Sequence, residues 1–125
     1  MTSNELRIGN MVYKSLKSGQ GRTVINPIGC QDIVRIFEDI GSFNYAPIPL
    51  TEDILLKCGF VKVDDFFVLK IIDYGELAIE SYFSIFIGND GRDLGFCTNA
   101  NICNHLHQLQ NLYFALTQEE LTIKL

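Results

Sequence analysis

Residues 61–97 read VKVDDFFVLKIIDYGELAIESYFSIFIGNDGRDLGFC, and the class of the fold turns on this stretch. It is dense in β-branched and aromatic residues, the types that suit a pleated, half-buried surface. Asp73-Tyr74-Gly75-Glu76 and Gly88-Asn89-Asp90-Gly91 punctuate it with the residues that tight hairpin turns require. The pattern predicts three antiparallel strands in a meander: VKVDDFFVLKIID, GELAIESYFSIFIG and RDLGFC. Residues 66–72 are apolar at nearly every position, which predicts a central strand covered on both faces.

Working back toward the N-terminus, Thr51 is a good N-cap for a helix over residues 51–58. Glu52 and Asp53 lie at its positive end, and Ile54, Leu55 and Cys58 form an apolar stripe. Gly59 then stops the helix and lets Phe60 fold back over Leu55. Residues 39–49, marked by Gly41, Pro47 and Pro49, read as a connector. Ile33, Val34, Ile36 and Phe37 predict a strand over residues 31–37. LRIGNMVYK, residues 6–14, predicts another, joined by the glycine-bearing KSGQGR turn to Thr23, Val24 and Ile25.

Toward the C-terminus, Leu106, Leu109, Leu112, Tyr113 and Leu116 recur at helical spacing and predict a helix over residues 105–116 with one face on the sheet. Burying each leucine contributes about 2 kcal/mol. Leu112→Ala is expected to hurt most. Thr117 and Glu120 fit a capping box that would start a short terminal turn. Strands followed by a helix without βαβ alternation give the class: an α+β single domain over residues 1–125, with an antiparallel sheet and two packed helices. Residues 6–37 at the N-terminal end are expected to curl into a partial SH3-like barrel.

A chain of 125 residues with 47% hydrophobic residues can carry its own core without a metal or disulfide. No apolar run reaches the roughly 18 residues a membrane helix needs, and MTSNELRIGN lacks a signal-peptide core. A soluble, cytoplasmic protein with no membrane partner follows as the expectation. Cys30, Cys58, Cys97 and Cys103 are scattered, as reduced thiols are. The net charge of −5 conceals an asymmetry: residues 1–35 hold five bases against two acids, and residues 36–125 five bases against thirteen acids. Nucleic acid is disfavoured as a partner for the whole, because such binding draws on many basic contacts. Only the N-terminal third could supply them.

The candidate site residues are few. Cys97, Cys103, His105 and His107 would suit tetrahedral zinc by type, but CxxxxxCxHxH matches neither the paired CxxC knuckle nor the helical HxxxH arrangement. Structural histidines are the preferred reading, and no cofactor is expected. If residues 105–107 are extended the two rings share a face; if they are helical the rings point about 200° apart. Adjacent residues of a strand point to opposite faces, so Asp64 and Asp65 read as a solvated turn or edge rather than a catalytic pair. The Ser18–Arg22 stretch lacks the GK[ST] ending of a P-loop and reads as a hairpin tip. Were it to touch nucleic acid, Lys14, Lys17 and Arg22 would be the contacting cations and Tyr13 a stacking surface. Gln108, Gln110 and Asn111 are interaction candidates, with internal knitting of the helix to a strand preferred.

Three segments carry a resemblance: Arg7-Ile8-Gly9-Asn10 before Val12, PIPLTEDILLKCGF at 47–60, and HQLQNLYFALTQEEL at 107–121. Together they resemble a group of small uncharacterised proteins of Bacteroides-type gut bacteria and their phages. Gln118 stands where the group usually carries glycine, and His105-Leu106 where an aromatic residue and valine are usual. The resemblance implies a phage or mobile-element setting and carries over no activity. With no convergent chemistry in the sequence, the expectation is a non-enzymatic module that binds a protein partner not identifiable from sequence. Sheet edges leave homo-oligomerisation open. The alternative is a nucleic-acid-binding accessory protein that uses the basic hairpin.

Overall fold

After a single 3-10 turn at Ser3–Glu5, the chain builds a three-stranded antiparallel sheet from β1 (Met11–Leu16), β2 (Val24–Pro27) and β3 (Phe43–Ala46), in the order β2-β1-β3. This computed structural model describes residues 2–19, 21–64, 66–71, 75–80, 85–89, 93–98 and 104–124; at 75, 76, 80, 85–89 and 93–98 the description is of backbone. The predicted hairpin is present, with Tyr13 opposite Ile25 and Lys14 opposite Val24. The strand starts at Met11 rather than residue 6, and the sheet is open, so the expected barrel does not close. β3 lies inside the segment read as a connector, with Tyr13 opposite Ala46.

The largest departure is at residues 31–37. They are helical: α1 spans Cys30–Glu38 between β2 and β3. Cys30, Ile33, Val34 and Phe37 stand at i, i+3, i+4 and i+7, with Gln31, Asp32, Arg35 and Ile36 between them and Glu38 after, and this periodicity overrides the strand propensity of single residues. Asp32 Oδ2 accepts the Gly29 N–H at 2.9 Å and fixes the start. At the far end Asp39 takes a left-handed conformation with φ of 52°, and the Ile40 N–H closes on the Arg35 carbonyl at 3.0 Å.

α2 (Glu52–Lys57) follows the prediction closely. Thr51 Oγ1 accepts the Ile54 N–H at 3.2 Å. Gly59, with φ of 92°, permits the two closing bonds of a Schellman turn, Gly59 N–H to the Leu56 carbonyl and Phe60 N–H to the Leu55 carbonyl, both 3.1 Å.

The decisive stretch is an antiparallel meander of five strands, not three: β4 (Val61–Val63), β5 (Phe66–Ile71), β6 (Gly75–Glu80), β7 (Ile85–Asn89) and β8 (Asp93–Thr98), in sequence order. The first predicted strand breaks at Asp64, which adopts φ of 54° so that Val63 pairs with Phe66. The second divides into β6 and β7, which pair with Leu77 opposite Ile87. The turn connections at 72–74 and 90–92 lie outside the described residues. β5 is flanked by strands on both sides; one face is buried and the other only partly covered, Phe66 and Val68 being half-buried there. Phe67 and Ile71 are buried and Leu69 packs on the core, while Lys70 on the other face is exposed.

α3 (Leu106–Thr117) crosses the core, making three α-helices among the described residues where two were expected. Ile48, Leu50, Leu55, Phe60, Phe67, Leu77, Ile79, Leu106, Leu109 and Leu121 belong to one buried cluster. Leu106 and Leu109 are wholly buried, whereas Leu112, Tyr113 and Leu116 pack at its margin. The segment before α2 pairs with the segment before α3: the Leu50 N–H donates to the Asn104 carbonyl at 2.9 Å and the Leu106 N–H to the Ile48 carbonyl at 2.8 Å. No helix starts at Thr117. It is the last residue of α3, and its hydroxyl donates back to the Tyr113 carbonyl at 2.8 Å.

Candidate functional site

The surface that stands out is α1. None of its nine residues is fully buried. Its polar side holds it to the sheet through one carboxylate: Asp32 Oδ1 accepts from the Tyr45 hydroxyl at 2.7 Å and from Lys14 Nζ at 3.2 Å, with Arg35 at 3.6 Å. Burial alone would raise the Asp32 carboxyl, but the bonds from Gly29, Tyr45 and Lys14 outweigh it and hold the group below its ordinary value. Burial and the bond to Asp32 push the Tyr45 phenol up. With α1 anchored this way, three of the four residues of that run, Cys30, Val34 and Phe37, face solvent and only Ile33 is partly covered. Phe37 is 74% exposed, and Val34 and the following Ile40 are each 50% exposed. An open hollow of about 400 Å³ is lined by Cys30, Gln31, Val34 and Arg35 of α1 and by Ile40.

The same anchor consumes Lys14. Its ammonium pairs with Asp32 and sits 4.2 Å from the Phe43 ring centroid and 5.7 Å from that of Tyr45. Tyr13 is half-buried and packs against the core. Lys17 and Arg22 alone of the hairpin candidates are exposed, on a tip where Gly19 and Gly21 take φ of 75° and 82°. Asp64 is an exposed turn residue, and Asp65 lies outside the described residues.

The three amides are used within the protein. Gln108 Oε1 accepts the N–H groups of Asn104 and His105 at 2.8 and 3.0 Å, covering the start of α3. Gln110 is buried, accepts the Met11 N–H at 2.7 Å and donates to the Gly9 carbonyl at 3.2 Å. Asn111 donates to the Glu5 carbonyl at 2.8 Å and accepts from Asn10 at 2.9 Å and Arg7 Nε at 3.2 Å. Arg7 also lies 4.2 Å from the Phe114 ring centroid and pairs with both carboxylate oxygens of Glu120, a contact that lowers the Glu120 carboxyl. The helix is thus knitted to residues 5–11, the preferred sequence reading.

His105 caps α3 from an extended backbone, and its ring stacks on that of His107 with centroids 5.8 Å apart and planes 15° from parallel. His107 is enclosed. Its Nε2 meets Glu5 Oε1 at 3.2 Å, while buried Nδ1 has no hydrogen-bond partner among the described residues. Burial lowers its pKa, partly offset by Glu5. Of the predicted zinc set, the Cys97 side chain and Cys103 lie outside the described residues. Among the described residues no three of His, Cys, Asp and Glu converge as metal ligands. Cys30 and Cys58 are free thiols, and burial pushes that of Cys58 up to about 11. No helix of the described residues is long and apolar enough to cross a membrane.

No family model, curated protein or solved structure matches this chain.

Sequence reasoning missed the α1 surface because it read residues 31–37 as a strand. The signal that finds it is the i, i+3, i+4, i+7 run of Cys30, Ile33, Val34 and Phe37 behind Gly29, with Asp32 reaching back to the chain entry.

Proposed function

We propose that this protein is a non-enzymatic protein-interaction module whose binding face is α1. One observation carries the reading: a well-anchored amphipathic helix presents Val34 and Phe37 to solvent, with Ile40 exposed just past its end and a hollow lined in part by Val34 and Ile40. Scattered exposed apolar residues need no explanation, but an aromatic residue and an aliphatic one turn apart on a helix, with a second aliphatic just past its end, resemble the centre of an interface. The cytoplasm is the proposed compartment. A phage or mobile-element setting is part of the same reading, supported by the RIGN, PIPLTEDILLKCGF and HQLQNLYFALTQEEL segments. The nucleic-acid alternative retains Lys17 and Arg22 as exposed cations, while Lys14 is paired with Asp32 and Tyr13 is half-buried against the core.

The test is affinity capture from a lysate of a Bacteroides-type host, with and without nuclease, comparing wild type with Phe37→Glu. A stoichiometric protein that survives nuclease and is lost with Phe37→Glu supports the reading. Partners indifferent to Phe37→Glu, or released by nuclease, refute it and favour the basic hairpin.

A further inference from the structure

The His107 ring is wholly enclosed, and its two nitrogens are unequally served. A carboxylate can only accept, so Nε2 carries the proton shared with Glu5 Oε1 at 3.2 Å, and Nδ1 is left as a bare lone pair with no partner among the described residues. The charged and titratable groups acting on the ring are Glu5, the stacked His105 and the N-terminal amine. Glu5 is delivered by the Ser3–Glu5 turn, none of whose residues is buried. Asn111 reaches the Glu5 carbonyl at 2.8 Å, and the turn closes on itself through the Glu5 N–H to the Thr2 carbonyl at 3.3 Å and the Leu6 N–H to the Ser3 carbonyl at 3.2 Å. Beyond it the segment is fastened more firmly, Arg7 by Asn111 and Glu120, and Gly9 and Met11 by Gln110.

We propose that residues 2–6 form an acid-released strap: when the His107 ring takes up a second proton, the Ser3–Glu5 turn lifts from α3 and carries Glu5 off Nε2, while the rest of the fold stays in place. This goes beyond the reading of α1 as an interaction face and does not depend on it.

The second proton enters at Nδ1, where the closed form offers no acceptor among the described residues, and a buried donor left unpaired is unfavourable. The stacked His105 adds a like charge once it too is protonated. Glu5 pulls the other way, since its carboxylate pairs better with an imidazolium than with a neutral ring. Its side chain is 39% exposed, however, so water screens that attraction, whereas the ring is wholly out of water. Burial outweighs the ion pair, and the closed form resists the proton. A released ring takes it up near the ordinary 6.5, so acid favours release. The turn is the element that yields, because it has no buried residue to give up.

Amide exchange resolved by NMR on the full chain, in buffer containing a metal chelator, tests this at about pH 7.5 and about pH 5.0 after correction for the intrinsic rate at each pH. A group titrating near 6.5 when released sets a ceiling of about thirtyfold on the change. The expected result is a loss of protection at Glu5 and Leu6 of at least about threefold, with Met11 unchanged and a midpoint that coincides with the titration of the His107 ring in the same samples. In His107→Gln, which keeps a side-chain donor for Glu5, the loss should vanish. Protection that stays constant or rises with acid overturns the inference. So does a loss that spreads to Met11, persists in folded His107→Gln, or has a midpoint apart from that of the ring. Should His107→Gln fail to fold, the two wild-type midpoints decide.

Discussion

Replacing Gln110 by alanine should destabilise the protein far more than the same change at Gln108, two residues earlier on the same helix. Gln110 is 3% exposed and bridges two backbone groups, accepting the Met11 N–H at 2.7 Å and donating to the Gly9 carbonyl at 3.2 Å. Truncation removes both partners. Each buried group left unpaired costs about 1–3 kcal/mol, and partial entry of water into the vacated space recovers some of that, so the expected loss is about 2–4 kcal/mol. Gln108 accepts the N–H groups of Asn104 and His105 near the surface, where water can substitute, and its loss should cost about 1 kcal/mol. Urea unfolding followed by circular dichroism reads both. With a slope of about 1–3 kcal/mol/M, the midpoint should fall by about 1–2 M for Gln110→Ala with the slope unchanged. Gln110→Glu sharpens the comparison, because the introduced carboxylate can accept from Met11 but cannot donate to the Gly9 carbonyl. Its deficit should shrink as pH falls and the group protonates. Equal losses for Gln108→Ala and Gln110→Ala would refute the bridge as a determinant of stability.

Leu109→Ala should cost about 2–5 kcal/mol in the same assay and Leu112→Ala clearly less, since Leu109 is wholly buried and Leu112 lies at the cluster margin. Gln118 ends α3 with φ of 61°, so Gln118→Gly should stabilise by about 0.5–1 kcal/mol, read as a rise in melting temperature. Burial lowers the His107 pKa below its ordinary 6.5, so as pH falls through 6.5 the unfolded chain takes up a proton that the folded chain resists. Stability should therefore decline from pH 6.5 downward, and His107→Gln should remove that component. A stability profile unaltered by His107→Gln would refute it.

The sequence disclosed those elements whose local chemistry agrees with their place in the fold. The α2 segment has its cap, its charges and its closing glycine in order, and it folds as read. α3 was legible from its leucines, but not which leucines matter: Leu112 looks equivalent to Leu109 on a helical wheel, and only the folded structure separates them, with Leu109 inside the buried cluster and Leu112 at its margin. Of the two extra strands in the meander, one comes from Asp64, which turns the chain without a glycine by adopting φ of 54° itself, and the other from the division of the GELAIESYFSIFIG stretch into β6 and β7. α1 was misread because its β-branched residues argue for a strand residue by residue, while the spacing and the Gly29–Asp32 closure argue for a helix. The amide knitting was anticipated as a kind of interaction, yet its partners at Gly9, Asn10 and Met11 lie about a hundred residues away and leave no local trace.

That separation bears on how the protein comes into being on the ribosome. The strands of residues 11–46 find one another locally, but their core-facing side waits for Leu106 and Leu109, and the segment at Ile48–Leu50 waits for Asn104 and Leu106. Leu121 completes the cluster, and Glu120 fastens Arg7 across a gap of 113 residues. A nascent chain of a hundred residues therefore holds an apolar surface it cannot cover, and folding is completed only after the last helix has cleared the exit tunnel.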